Sequence, residues 1–546
     1  MKPIKQKLGV LLILLTGFGV ASCDFSGLSN AVDDFKVVVG LDPINTSSAV
    51  LLTDAATGEL ITANVEVIFE GENGDDVIDI YSDPISEKEV SSGILTFGIS
   101  NNVVPTEESP VSVRIRLRAD GYLSTTKTAR LTTEGTNEFS FKMIRANNKP
   151  EGITTTSSTA GRSGSSGAVE EEFVVEANSD DGDDAGVSIS VAQGTVFRDA
   201  NGNALTGRLT TEMSYFNPNK AGAMLSLPVE LEDEEGSLLI SAGASTISIR
   251  DANGNLAASS AAAPAKGVQG KAMVGGTSYT VAVTPGFINP NTNAAVAVGD
   301  EVSVILYDSN NNYITSVPST ITELAGGRLG VNVESERVPG ILLLSFKIVT
   351  SARCNRALLS LTRNGDEGSV NMSVFGAGYG AEFVVPANTT NYTAAVNILS
   401  KSFNYRLQAS SGVVEGTHNF CEGPLDVSLP GFDANANVID ATVNVNLSCQ
   451  NSDETVSVTD IPGASVAYRK QNAVQGTPWK IASSLNWNFD EASNSLTGGS
   501  FDVKGVEQGE FYTFKIVYEG ETFTRDVEIT GTTVSYTEII DSGICQ

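Results

Sequence analysis

Alternation of apolar and polar residues constrains this chain more than any other feature. It is explicit in Val65-Glu66-Val67-Ile68-Phe69, Leu95-Thr96-Phe97-Gly98-Ile99 and Val111-Ser112-Val113-Arg114-Ile115-Arg116-Leu117. Successive side chains of an extended strand point to opposite faces, so each run predicts a strand with one buried and one wet side. Turn chemistry separates the runs, as in Asp54-Ala55-Ala56-Thr57-Gly58 and Glu72-Asn73-Gly74-Asp75. No long stretch carries helical periodicity. With 41% apolar and 18% charged residues, the composition is that of secreted all-β domains and not of a disordered chain. The fold class is read as all-β, with β-sandwich domains in tandem.

At 546 residues the chain has room for three or four domains. Residues 1–22 read as a signal peptide, 23–35 as a tether and 36–146 as a first sandwich. Residues 147–167, with ITTTSSTAGRSGSSG and almost no apolar content beyond Ile153, predict a flexible Ser/Thr/Gly linker. Further sandwiches are expected over 168–325, 340–430 and 431–546. The second holds an internal echo: Arg198-Asp199-Ala200-Asn201-Gly202-Asn203 returns as Arg250-Asp251-Ala252-Asn253-Gly254-Asn255, which predicts two similar tight turns.

The signal-peptide reading rests on Lys2, Lys5 and Lys7, followed by an apolar run from Leu8 to Val20 and the small residues Ala21 and Ser22 before Cys23. The apolar core is shorter than the roughly 20 residues a membrane span needs. Once Cys23 is set aside, Cys354, Cys421, Cys449 and Cys545 form an even set in an exported, oxidising setting. Pairing as Cys354–Cys421 with Cys449–Cys545 places one bridge per domain, and Cys421–Cys449 is a rival that sequence alone leaves open. The net charge of −31 argues against nucleic acid as a partner.

Val20-Ala21-Ser22-Cys23 resembles the bacterial lipobox, which implies that Cys23 becomes an acylated N-terminus holding the protein to a membrane. Asp24, Asp33 and Asp34 behind it are similar to the acidic segments that follow the cysteine in lipoproteins of the Bacteroidetes type. That likeness implies the outer membrane, with the cell surface and the periplasmic face both open, whereas Asp24 directly after the cysteine also resembles the inner-membrane retention signal of enterobacterial lipoproteins. TDAATGELITANVEV (Thr53–Val67), SSGILTFGI (Ser91–Ile99) and RADGYLS (Arg118–Ser124) resemble the carboxypeptidase regulatory-like, transthyretin-like sandwich. The resemblance implies an accessory module and no peptidase activity. VAQGTVFRDANGNALTGRLTTEMSYFNP, within the second region, is similar to Bacteroidetes surface proteins.

Catalytic chemistry is poorly represented. The single histidine, His418, has no His-Glu-x-x-His context and stands three residues before Cys421, so it is read as structural or exposed. Paired carboxylates for glycoside hydrolysis usually come with aromatic platforms, and only 7% of residues are aromatic. Oxygen-rich loops stand out more. Asp180, Asp181, Asp183 and Asp184 crowd four carboxylates together and are a candidate Ca²⁺ site. Loops starting at Asp199, Asp251, Asp308 and Asp433 follow a D-x-N-x-N pattern, better explained as Asx turns. Trp479 and Trp487, near Tyr468 and Phe489, are a candidate ligand-binding surface, with a core role for at least one tryptophan as the competing reading. The function expected is a lipid-anchored envelope protein with a structural, adhesive or ligand-presenting role. The alternative is a glycan- or peptide-binding lipoprotein of a nutrient-uptake assembly.

Overall fold

The alternating runs form strands in a computed structural model of the chain. It describes residues 44–79, 82–182, 185–233, 237–262, 276–348, 353–432, 437–450, 456–457, 466–473, 477–482, 486–490, 495–518, 521–540 and 545. The fold is all-β, and among the described residues the one α-helix is the short Ala221–Leu225.

In the first module one sheet runs in the order Val77–Ile78, Ile94–Ile99, Thr46–Asp54, Gly135–Met143, and the other Glu87–Val90, Val65–Glu70, Val111–Ala119, Thr125–Leu131. Thr46–Asp54 and Gly135–Met143 run parallel, while the other neighbours are antiparallel. Val65, Val67, Val113, Ile115 and Leu117 project from one sheet to meet Val50, Leu52, Leu95 and Phe97 of the other in a single core. Fully burying one such side chain contributes about 1.5–3 kcal/mol. The same alternation puts Arg114, Arg116, Thr126 and Thr128 on the opposite face, with Arg116 across from Thr126 and Arg114 across from Thr128.

The next module pairs a six-stranded sheet with a five-stranded one. The first is ordered Tyr313–Thr320, Glu301–Tyr307, Ile341–Lys347, Leu239–Arg250, Gly207–Phe216, Ile153–Ser163; the second begins with Phe173–Asn178 and Gly186–Val191. Two expectations are corrected here. The proposed linker 147–167 contains the edge strand Ile153–Ser163, which pairs with Gly207–Phe216. Its threonines are β-branched and alternate between shielded and open positions, so an apolar count underrates the segment. Ile341–Lys347, assigned to the region 340–430, instead lies between Leu239–Arg250 and Glu301–Tyr307 of the preceding sheet.

The third module holds the sheet Tyr379–Val385, Val370–Gly376, Phe403–Gln408, Val413–His418 and the three strands Asn391–Ala394, Ala357–Thr362 and Leu425–Ser428. Its core is continuous with that of the second. The Ala377-Gly378 turn explains the continuity. Gly378 has φ +77°, and a Cβ there would stand 2.0 Å from the Ser241 carbonyl, so only glycine lets the hairpin seat. The C-terminal module pairs Ser495–Glu507, Val438–Cys449 and Thr533–Ile540 on one side with Val466–Lys470, Phe511–Tyr518 and Glu521–Glu528 on the other. Disulfides join Cys354 to Cys421 and Cys449 to Cys545.

Candidate functional site

Polar side chains with the most specific geometry gather where modules meet. The first junction is built on the outward face of Val111–Ala119 and Thr125–Leu131. The Asp308–Asn312 turn is set against it. Asp308 Oδ1 accepts the backbone N–H groups of Asn310 (2.8 Å) and Asn312 (2.9 Å), while Oδ2 accepts Asn312 Nδ2 (2.9 Å). This Asx turn pushes Asn311 to φ +64°, with 2% of its surface exposed. Its Nδ2 donates to the carbonyls of Ser124 (2.8 Å) and Pro228 (3.3 Å), and Arg116 donates to Asn312 Oδ1 (2.8 Å) and to Glu70. The turn therefore acts as a plug between modules. Asp199 and Asp251 close their loops the same way, through Asn203 and Asn255.

The edge strand Thr125–Leu131 would expose unpaired backbone, a liability that the segment 228–232 removes. Thr126 N donates to the Pro228 carbonyl (2.9 Å), Glu230 accepts from both the N–H (2.5 Å) and hydroxyl (2.7 Å) of Thr128, and Arg130 pairs with Glu232. Between this strand and the second module lies a cleft of about 330 Å³, walled by Arg114, Thr126 and Arg130 on one side and by Glu230, Tyr307 and Tyr313 on the other. Tyr307 and Tyr313 meet edge to face with ring centroids 6.3 Å apart. Burial raises the pKa of the Tyr307 phenol, opposed by Arg114. The Thr126 hydroxyl is buried without a hydrogen-bond partner.

A smaller cleft, about 180 Å³, also takes its walls from the strand Thr125–Leu131 and the segment 228–232, and adds residues of the third module. Lys142 pairs with Glu382 at 2.5 Å, and Lys127 Nζ donates to the Leu227 carbonyl at 3.0 Å. Burial lowers the pKa of Lys127, with Glu230 and Glu382 pulling the other way. In the wall of the same cleft, burial pushes the Glu138 carboxyl up to about 7 against the opposing charge of Lys480 and a hydrogen bond from Ser369.

A third contact joins the first and C-terminal modules. Arg469 reaches both carboxylate oxygens of Glu59, at 2.9 and 3.0 Å. Its guanidinium lies 4.5 Å from the centroid of the Trp479 ring, and the Lys515 ammonium lies 4.7 Å from it. Desolvation tends to raise the Glu59 pKa, but the hydrogen bonds and charge of Arg469 overcome it and leave the carboxyl below its ordinary value.

Trp479 is thus 3% exposed and clustered with Leu51, Leu60, Ile94 and Ala467, which corrects the expectation of an open stacking surface there. An indole brings large apolar area, and two modules bury it more completely than one. Trp487 is half-buried against the cluster of Cys449 and Leu496. Asp180 and Asp181 are exposed, and Asp181 accepts from Asn217 Nδ2 and Lys220 Nζ, each at 3.0 Å. Asp183, Asp184 and Cys23 lie outside the described residues. Among the described residues no group of three or more His, Cys, Asp or Glu side chains is arranged to hold a metal ion. His418 sits in an edge strand, its Nε2 3.1 Å from the Gly423 carbonyl oxygen and its ring edge-on to Phe420. Sequence reasoning missed Arg114, Arg130, Tyr307 and Tyr313. The available signal was arginine at alternate positions of a strand whose other face is fully apolar.

No protein-family model matches the chain, and no curated protein matches it. A solved structure with partial likeness is a leucine-rich repeat protein from Bacteroides thetaiotaomicron, 11% identical, covering 34% of this chain at a TM-score of 0.14. The match spans about a quarter of that protein, 26% of its length.

Proposed function

We propose that the chain is a lipid-anchored bacterial cell-envelope protein whose modules are transthyretin-like and Ig-like sandwiches, with a structural or ligand-presenting role and no catalysis of its own. Acyl chains on Cys23 hold it at the outer membrane. Each buried methylene contributes about 0.8 kcal/mol, so two or three chains make the attachment effectively permanent. The observation that carries the presenting role is the set of module junctions. Glu59–Arg469, Arg116–Asn312, Arg130–Glu232 and Lys142–Glu382 all cross between modules, so the modules keep fixed orientations relative to one another and a surface on them is presented rigidly. Cys23→Ala tests the anchor. The variant is expected in the soluble or culture fraction without radiolabelled palmitate, and retention in the membrane pellet would contradict the anchor.

A second reading is capture of a glycan or peptide for uptake, and one observation favours it. The cleft at Tyr307 and Tyr313 combines aromatic surface with fixed hydrogen-bonding groups. Pull-down of the anchored protein with its bound partners or glycans distinguishes the two readings.

A further inference from the structure

We propose that the cleft between the outer face of the first module and the Tyr307–Tyr313 corner of the second binds a neutral, hydroxyl-rich ligand, a short stretch of uncharged oligosaccharide. The inference rests on the capture reading and is independent of the anchor at Cys23.

Size admits such a ligand. A volume of about 330 Å³ falls at the lower end of small-molecule sites, and at about 30 Å³ per liquid water it holds on the order of ten waters. Charge selects it. The carboxylates in the wall are already engaged: Glu230 by Thr128, Glu232 by Arg130 and Asn397, and Asp233 by Lys347 at 2.8 Å. Donors and acceptors therefore stand side by side at fixed positions, which suits vicinal hydroxyls that both give and accept hydrogen bonds. An anion would meet these three carboxylates and Glu72 against only Arg114 and Arg130, and a cation would have to break existing pairs. The aromatic surface comes from Tyr313, half-buried and braced edge-on by Tyr307. Thr126 lines the same wall, and its buried hydroxyl has no hydrogen-bond partner in the protein.

The test uses the full-length acylated protein in a sugar-free detergent, titrated with cellobiose, maltose, xylobiose and mannobiose and read by saturation-transfer NMR and calorimetry. Digalacturonate, spermidine and trialanine are the charged and peptide comparators. At least one neutral disaccharide is expected to bind. Tyr313→Ala should weaken it tenfold or more, and Thr126→Val severalfold. Thr126→Val is isosteric and removes a hydroxyl without a partner, so its fold and melting temperature should be retained. Failure of all four neutral sugars, or binding that neither variant changes, overturns the proposal. Binding of a comparator alone also overturns it, and trialanine alone would leave the capture reading standing. Silence from every probe removes both.

Discussion

Replacing Trp479 with alanine removes a large side chain that fills the space between the first and C-terminal modules. The indole is packed by Leu51, Leu60, Ile94 and Ala467 and lies within 4.5 Å of Arg469 and 4.7 Å of Lys515, measured to the ring centroid. Truncating a buried tryptophan costs about 3–5 kcal/mol. Loss of the two cation contacts adds roughly 0.5–1 kcal/mol each. Together these give about 4–7 kcal/mol, so at least about 4 kcal/mol is expected for the C-terminal module and its docking. At about 4–8 °C per kcal/mol for a unit of this size, its melting transition should fall by at least about 15 °C, visible by scanning calorimetry. Limited proteolysis should cut first within residues 437–540. Trp479→Phe keeps part of the ring and should recover about half the loss. A transition moved by less than about 3 °C would refute the claim that this ring holds the junction.

Three further outcomes follow from the same geometry. Cys449→Ser with Cys545→Ser opens a loop of 96 residues and should destabilise the C-terminal module by up to about 5 kcal/mol, checked by melting with and without reductant. Glu138 has its pKa raised from 4.5 to about 7, so the folded protein keeps a proton that the unfolded chain releases. Stability should therefore fall as pH rises from about 4.5 through 7, by at most about 3 kcal/mol, and Glu138→Gln should flatten that slope in melting curves. Asn311→Ala loses two hydrogen bonds and leaves a non-glycine residue at φ +64°, for a cost of about 1–3 kcal/mol in chemical denaturation; Asn311→Gly relieves the backbone and should cost less.

The core of the first module was legible because its signal is local. In Val111–Leu117 the residue before and the residue after already say which side faces inward. The candidate cleft was not legible, because Arg114 in a strand reads as an ordinary wet position until Asn311 and Tyr307 are brought against it. Ile153–Ser163 failed for a related reason. A threonine- and serine-rich run is compatible with a linker or an edge strand, and only the presence of Gly207–Phe216 beside it decides.

From the sequence alone come the alternating strands of the first module, their inward and outward faces, and the Asx turns at Asp199, Asp251 and Asp308, all set by neighbours within a few positions. Tertiary structure decided which sheet Ile341–Lys347 joins, that the Asp308 turn plugs a junction, and that Trp479 is covered. Arg469 and Glu59 are 410 positions apart, and no periodicity reaches that far. Their pairing depends on complementarity between two surfaces that only the tertiary packing brings together.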